Sequence, residues 1–156
     1  MAKRVVLLGA GHAHLYALKR AAAFTKHGHE LTLVAPDLFW YSGLATGMLG
    51  GFYSPELDQV DVAALAQRGG GRFLCDRAIA LDRRSRRIIL EKGEPVSYDV
   101  LSITVGSEPP NIAGMDATDL RLFSVKPIRR LWDLRRALEQ RFAEAPREQT
   151  RVVIAG

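Results

Sequence analysis

The sequence predicts an α/β fold: a parallel sheet begun by a βαβ unit, with an antiparallel β-meander added beside it. Two observations predict it. Residues 4–35 run strand, glycine turn, helix, strand, which is the length of one crossover unit, about 30 residues. Residues 72–105 instead break into short strands separated by turn residues, with no room for another crossover helix. The composition, 47% hydrophobic and 25% charged over 156 residues, suits one globular domain with a real core.

Residues 4–8, RVVLL, form the first strand, and an uninterrupted apolar run suits a strand buried on both faces. The strand feeds into Gly9-Ala10-Gly11. Beyond it Leu15, Leu18 and Ala22 fall at helical spacing over residues 12–27, and Gly28 suits a C-terminal cap. Residues 30–35, ELTLVA, are the second strand, stopped by Pro36-Asp37. Strand, glycine turn and helix in this order open a dinucleotide-binding unit. Gly9 allows the tight turn, Gly11 lets the backbone approach a pyrophosphate, and the free N–H groups at the helix start face the phosphate charge. His14 stands where the third glycine of that pattern is expected. Either the helix sits differently here or the imidazole is tucked aside.

For Gly9 and Gly11 the bland reading is a structural turn, but their position directly after the strand favours phosphate contact. For His12 and His14 two readings stay open: polar residues at a helix start, or phosphate contact through backbone or imidazole. A metal site has no third ligand nearby.

Residues 37–56, DLFWYSGLATGMLGGFYSPE, are rich in aromatics and glycine and have little periodicity. A long irregular stretch is usually functional or disordered, and Phe39, Trp40, Tyr41, Phe52 and Tyr53 argue against disorder. Trp40 and Tyr41 read first as core or lid packing. A short helix is expected over residues 44–49. Ser54 and Pro55 look like a helix cap and first turn, and Asp61 is a second cap ahead of VAALAQR, which Gly69-Gly70-Gly71 ends.

Residues 72–80 and 86–91 read as strands paired across the turn Arg83-Arg84-Ser85-Arg86-Arg87. After Lys92-Gly93-Glu94, residues 96–105 carry a further strand into Gly106. Cys75 is the single cysteine, so an intrachain disulfide, a thiolate metal cluster and a Cys-x-x-Cys pair are all excluded. Its apolar surroundings suggest a small buried hydrophobe. Tyr98-Asp99 reads as a structural pair at a strand edge.

Pro109-Pro110 and Gly114 mark a loop, and Pro127 opens a helix running to about Ala143, with Ile128, Leu131, Leu134, Leu138 and Phe142 on one face. Thr150 to Gly156, TRVVIAG, echoes Arg4-Val5-Val6 and its glycine. We read it as the first strand of a second dinucleotide-binding unit, so that residues 1–149 form the first domain and residues 150–156 the start of the next.

The net charge is +5, with local basic clusters, of which the turn at residues 83–87 is the densest and reads as a solvated hairpin tip. Nucleic-acid binding would want interleaved aromatics or a recognition helix, and neither is visible. No apolar run approaches the roughly 18–20 residues of a membrane span. MAKRVVLL lacks a cleavage signal, so the expected location is cytoplasmic, with peripheral membrane attachment left open. No arrangement for nucleophilic catalysis is visible.

Three stretches together resemble the pyridine nucleotide–disulfide oxidoreductase superfamily, the flavoproteins with two dinucleotide-binding domains. They are Gly9-Ala10-Gly11, the return strand YDVLSITVGS at residues 98–107, and RVVIAG at 151–156. More narrowly, GAGHAHLYALKR, Tyr41-Ser42-Gly43 and YDVLSITVGS resemble the NADH dehydrogenase-like flavoproteins associated with selenophosphate synthetase, near the type II NADH dehydrogenases and sulfide:quinone oxidoreductases.

The resemblance implies a Rossmann-like FAD site. Gly9, Gly11, His12 and His14 would lie along the pyrophosphate, and Ala35-Pro36-Asp37 would pass the adenosine ribose. Ala78 would offer backbone groups to the adenine. Ser42, Gly43 and Thr46 would lie near the flavin, and Gly106 would allow close approach on the return strand. In the whole enzyme a hydride would pass from NAD(P)H to FAD and on to an acceptor such as a quinone. The chain alone, lacking the later domains, is expected to be inactive and to bind FAD weakly. Two departures stand out. Ala35 takes the place of the usual acidic residue, with Asp37 two positions on. Thr104-Val105-Gly106 replaces the usual Ala-Thr-Gly. The absent acid motivates an alternative, a non-enzymatic module that binds ADP or NAD.

Overall fold

β1 (Arg4–Leu8) stands inside a parallel sheet whose other strands are β2 (Glu30–Ala35), β5 (Arg72–Cys75) and β9 (Val100–Ile103), in the order β5-β2-β1-β9. In this computed structural model, residues 1–36, 38–109 and 122–154 are described; Asp37, Pro110, Gly114, Ala155 and Gly156 lie outside them. The chain divides into two units, Met1–Phe39 with Gln59–Ser107, and Trp40–Asp58 with Glu108–Gly156.

In the first unit, the register sets Val5 beside Leu31 and Leu8 beside Val34 on one flank of β1, and Val5 beside Val100 and Leu8 beside Ile103 on the other. Alternation sends Val5, Leu7, Leu31, Leu33 and Ala35 to one face, against Leu18, Ala21, Val62 and Ala66 of the helices. Val6, Leu8 and Val34 go to the other face, against Ile88 and Leu90. Both faces are covered, which explains the unbroken apolar run of β1.

The expected first helix is two. α1 (His12–Lys19) and α2 (Ala21–Lys26) are parted at Arg20, whose N–H reaches back only three residues, to the Ala17 carbonyl. The break lies where α4 (Val62–Arg68) ends: Gly69 is packed so tightly on Ala21 that a Cβ there would stand 2.3 Å from the Ala21 Cβ. Asp61 caps α4 as expected, accepting from the Ala64 N–H at 2.8 Å.

The expected strand over 72–80 is also two. β5 belongs to the parallel sheet, whereas β6 (Ala78–Asp82) pairs antiparallel with β7 (Arg87–Leu90), which pairs with β8 (Val96–Ser97). Asp76 makes the corner, its carboxylate accepting from the N–H groups of Arg77 and Gly93 at 2.7 and 2.8 Å. Residues 96–105 likewise split. β9 is not a meander strand: it returns beside β1, so the whole stretch from β5 onward is itself a crossover. Cys75 is exposed and not buried, because β5 is the outer strand of its sheet.

β3 (Phe39–Trp40) and β4 (Gln59–Val60) are a short pair through which the chain leaves and re-enters the first unit. In the second unit, α3 (Ala45–Leu49) matches the expected short helix. Ser54 and Pro55 begin a turn and not a helix: the N–H groups of Leu57 and Asp58 bond to the carbonyls of Ser54 and Pro55, and the chain goes straight on into β4. α5 (Arg129–Glu144) is the expected long helix, with Phe142 at its exposed end. Arg135 caps the C-terminus of α3, donating to the Met48 carbonyl at 2.8 Å. Residues 150–154 pair with no strand among the described residues, and Val152, Val153 and Ile154 are exposed. No helix among the described residues is long and apolar enough to cross a membrane.

Candidate glycine-turn site

The chain leaves β1 toward β2 on one flank, and β9 comes in on the other. The C-terminal end of β1 is therefore a topological switch point, where open α/β sheets bind their ligands. Gly9-Ala10-Gly11 sits there and leads into α1, whose first turn holds no acidic residue. An anion at this helix start meets N–H groups and the positive end of the helix dipole, with no carboxylate in the first turn of α1 to repel it.

The turn is held from both sides. The Gly9 N–H donates to the Val34 carbonyl at 2.7 Å, and the Gly11 N–H donates to the Thr104 carbonyl at 3.3 Å and to Thr104 Oγ1 at 3.0 Å. Gly9 has φ +83°, and a Cβ there would stand 2.3 Å from the Thr104 oxygen. A Cβ on Gly11 would meet the Thr104 Cβ at 2.9 Å. Both glycines are thus required by the close approach of the segment after β9, whatever the turn binds.

His14 resolves the choice its position posed: the imidazole is tucked aside. It is 2% exposed, with Nδ1 2.6 Å from the Gly9 carbonyl oxygen and 2.9 Å from Thr104 Oγ1, and Nε2 2.8 Å from Ser102 Oγ. His12 is exposed at the helix start, its ring edge-on to Phe39 at 5.4 Å.

Ala35 ends β2 with its side chain buried in the helix-side core, followed by exposed Pro36; Asp37 lies outside the described residues. Ala78 begins β6 opposite Leu90 and is half-buried. Gly106 is exposed with φ +74°. These residues belong to the first unit. In the second, Ser42, Gly43 and Thr46 are exposed around the start of α3, and the Tyr41 ring lies over Gly43.

Asp99 and Asp58, outside the turn, are shifted in opposite directions. Arg4 clamps the beginnings of β1 and β9, its Nη2 donating to Asp99 Oδ1 at 2.8 Å and its backbone N–H to Oδ2 at 2.8 Å, which holds the Asp99 carboxyl well below the usual carboxylate range. Asp58, in the second unit, is fully buried with neither carboxylate oxygen hydrogen-bonded among the described residues, and burial pushes its carboxyl up. A cleft of about 460 Å³ runs from the first residues of β1 and β2 along the length of β5, lined by Arg4, Glu30, Arg72, Cys75 and Ser97.

The Ser102–Thr104 contribution was not foreseen. The signal available was a hydroxyl at alternate positions of a strand, which sends both to one face.

No family model matches the chain, and no curated protein sequence matches it. Solved structures do. The sulfide:quinone oxidoreductase of the hyperthermophilic bacterium Aquifex aeolicus is 19% identical with a TM-score of 0.71, over 90% of this chain and 32% of its own. The water-forming NADH oxidase of Lactobacillus brevis is 24% identical with a TM-score of 0.71, over 91% and 32%. The NAD-dependent persulfide reductase of A. fulgidus is 19% identical with a TM-score of 0.73, over 88% and 28%. The chain spans about a third of the length of these proteins. In fold, then, it is a Rossmann-like α/β unit shared with these solved structures.

Proposed function

We propose that the chain is the FAD-binding portion of an NAD(P)H-dependent flavin oxidoreductase. One observation carries this reading: a glycine turn followed by an acid-free helix start, at the switch point of a parallel sheet. The fold shared with oxidoreductases supports it. The narrower kinship with the selenophosphate-synthetase-associated branch rests on the motifs alone.

In this reading Gly9, Gly11 and His12 flank the pyrophosphate, Ala35, Pro36 and Asp37 pass the ribose, and Ala78 serves the adenine. His14 acts from beneath the turn, since both its ring nitrogens are engaged with protein atoms. Ser42, Gly43 and Thr46 serve the flavin half, and Gly106 gives room on the return segment. Bound FAD would supply the hydride and electron chemistry, which NAD(P)H feeds and an acceptor such as a quinone drains. The protein's part is to bind and orient.

Affinity in the chain alone is weak by this reading. Buried Ala35 offers no carboxylate to the ribose. The test is absorbance in the flavin bands after purification, with NADH oxidation assayed alongside. Little bound flavin and no turnover are expected; a stoichiometric yellow protein that oxidises NADH would refute the fragment's incompetence.

A second reading, a non-enzymatic module that holds ADP or NAD, is favoured by Ala35 alone. Calorimetric titration with FAD, NAD and ADP separates the two, because a clear preference for NAD or ADP over FAD supports the module.

A further inference from the structure

Two positions near the turn depart from the pattern the chain resembles, His14 for glycine and Thr104 for alanine, and in the structure these two side chains touch. The proton positions follow from chemistry. The Gly9 carbonyl can only accept, so at 2.6 Å His14 Nδ1 carries the hydrogen and donates to it, with Thr104 Oγ1 as a second acceptor at 2.9 Å. In the neutral ring Nε2 is then bare and accepts from the Ser102 hydroxyl at 2.8 Å. Thr104 Oγ1 in turn accepts from the Gly11 N–H at 3.0 Å. The path Gly9 carbonyl, His14, Thr104, Gly11 N–H closes on itself, and its two ends are the backbone groups that set the orientation of the peptides between them.

We infer that His14 and Thr104 are positioning residues that act as one unit, holding the Gly9-Ala10-Gly11 turn in the shape that receives a dinucleotide pyrophosphate. The inference rests on the dinucleotide reading of the turn. A third glycine works by taking up no space. Here a buried side chain occupies that space and replaces loose fit with directed bonds, which require a hydroxyl at position 104. Glycine at 14 would leave Thr104 Oγ1 without its imidazole, and alanine at 104 would leave the imidazole with one acceptor fewer and the Gly11 N–H with only the more distant carbonyl. Either substitution already breaks the bond between the two side chains, so the second cannot cost that bond again.

The experiment is a double-mutant cycle on the 156-residue chain, H14G, T104A and H14G/T104A, with ADP and FAD titrated to the millimolar range and thermal melting followed in parallel. Each single substitution is expected to weaken ADP binding about tenfold, and the double by about tenfold rather than a hundredfold. Added imidazole is expected to restore ADP binding to H14G and not to the double variant, a response that general loss of packing would not give. T104S, which keeps the hydroxyl, should bind like wild type, while T104V should bind like T104A; this pair decides the matter if the glycine variants fail to fold. Singles that bind ADP as wild type does, or losses that multiply, would overturn the unit. A wild-type chain that takes none of FAD, NAD or ADP removes the dinucleotide reading and this inference with it.

Discussion

The α-carbon of Gly9 faces the Thr104 carbonyl so closely that a side chain on it would stand 2.3 Å from that oxygen. Gly28 has nearly the same backbone twist, φ +77° against +83°, but opens onto empty space. The two positions separate the cost of the backbone from the cost of the clash.

Gly28→Ala is expected to lose about 1 kcal/mol, the penalty for a left-handed residue alone. Gly9→Ala should lose about 3 kcal/mol, because the segment after β9 must also give way. Urea unfolding midpoints measure both, and equal losses would mean that the approach of Thr104 is not what demands glycine at position 9.

Asp58 gives a pH-dependent prediction. Burial with no hydrogen-bond partner among the described residues raises its carboxyl in the folded chain, so the fold binds that proton more tightly than the unfolded chain does. Stability therefore falls as pH rises through the carboxylate range, and the penalty is complete at neutral pH. Asp58→Asn should be more stable than wild type by roughly 1–2 kcal/mol at pH 7, with the difference vanishing in acid. Parallel melts between pH 3 and 7 would show it; a variant less stable at neutral pH would mean the carboxylate is satisfied in solution.

Asp99 has the opposite sign. Its bonds to Arg4 lower its carboxyl, so the unfolded chain binds the proton more tightly. The contribution is present above the ordinary carboxylate pKa and is lost as pH falls below it. Asp99→Asn should flatten the acid limb of the stability profile. Both side chains are partly exposed, so the difference should also shrink in high salt. An unchanged acid limb in low salt would show the clamp to be energetically silent.

Much of this was legible from local pattern. The apolar runs of β1 and β2, the glycine turn, the cap at Asp61 and the long spacing of α5 are encoded within a few residues of themselves. What escaped depends on neighbours distant in sequence. Nothing in VLSI says whether the strand lies beside β8 or beside β1; the Asp99–Arg4 clamp, 95 residues apart, decides it. Arg20 breaks its helix because Gly69 packs on Ala21, and Cys75 is exposed because β5 has no outer neighbour in its sheet among the described residues. Ser54-Pro55 has the letters of a helix start, but the pull of β4 ends it as a turn. His14 stands out in the sequence where glycine is expected, yet the residue that accommodates it lies 90 positions away.

That separation bears on the order of assembly. β1, α1 and β2 can form as soon as they leave the ribosome, but the glycine turn lacks half of its bonds until Thr104 arrives. At ordinary elongation rates the delay between Gly11 and Thr104 is roughly 5–20 seconds. Through that interval the flank of β1 that awaits β9 is an open edge on a nascent chain, so the motif read first in the sequence is among the last parts of the fold to be completed.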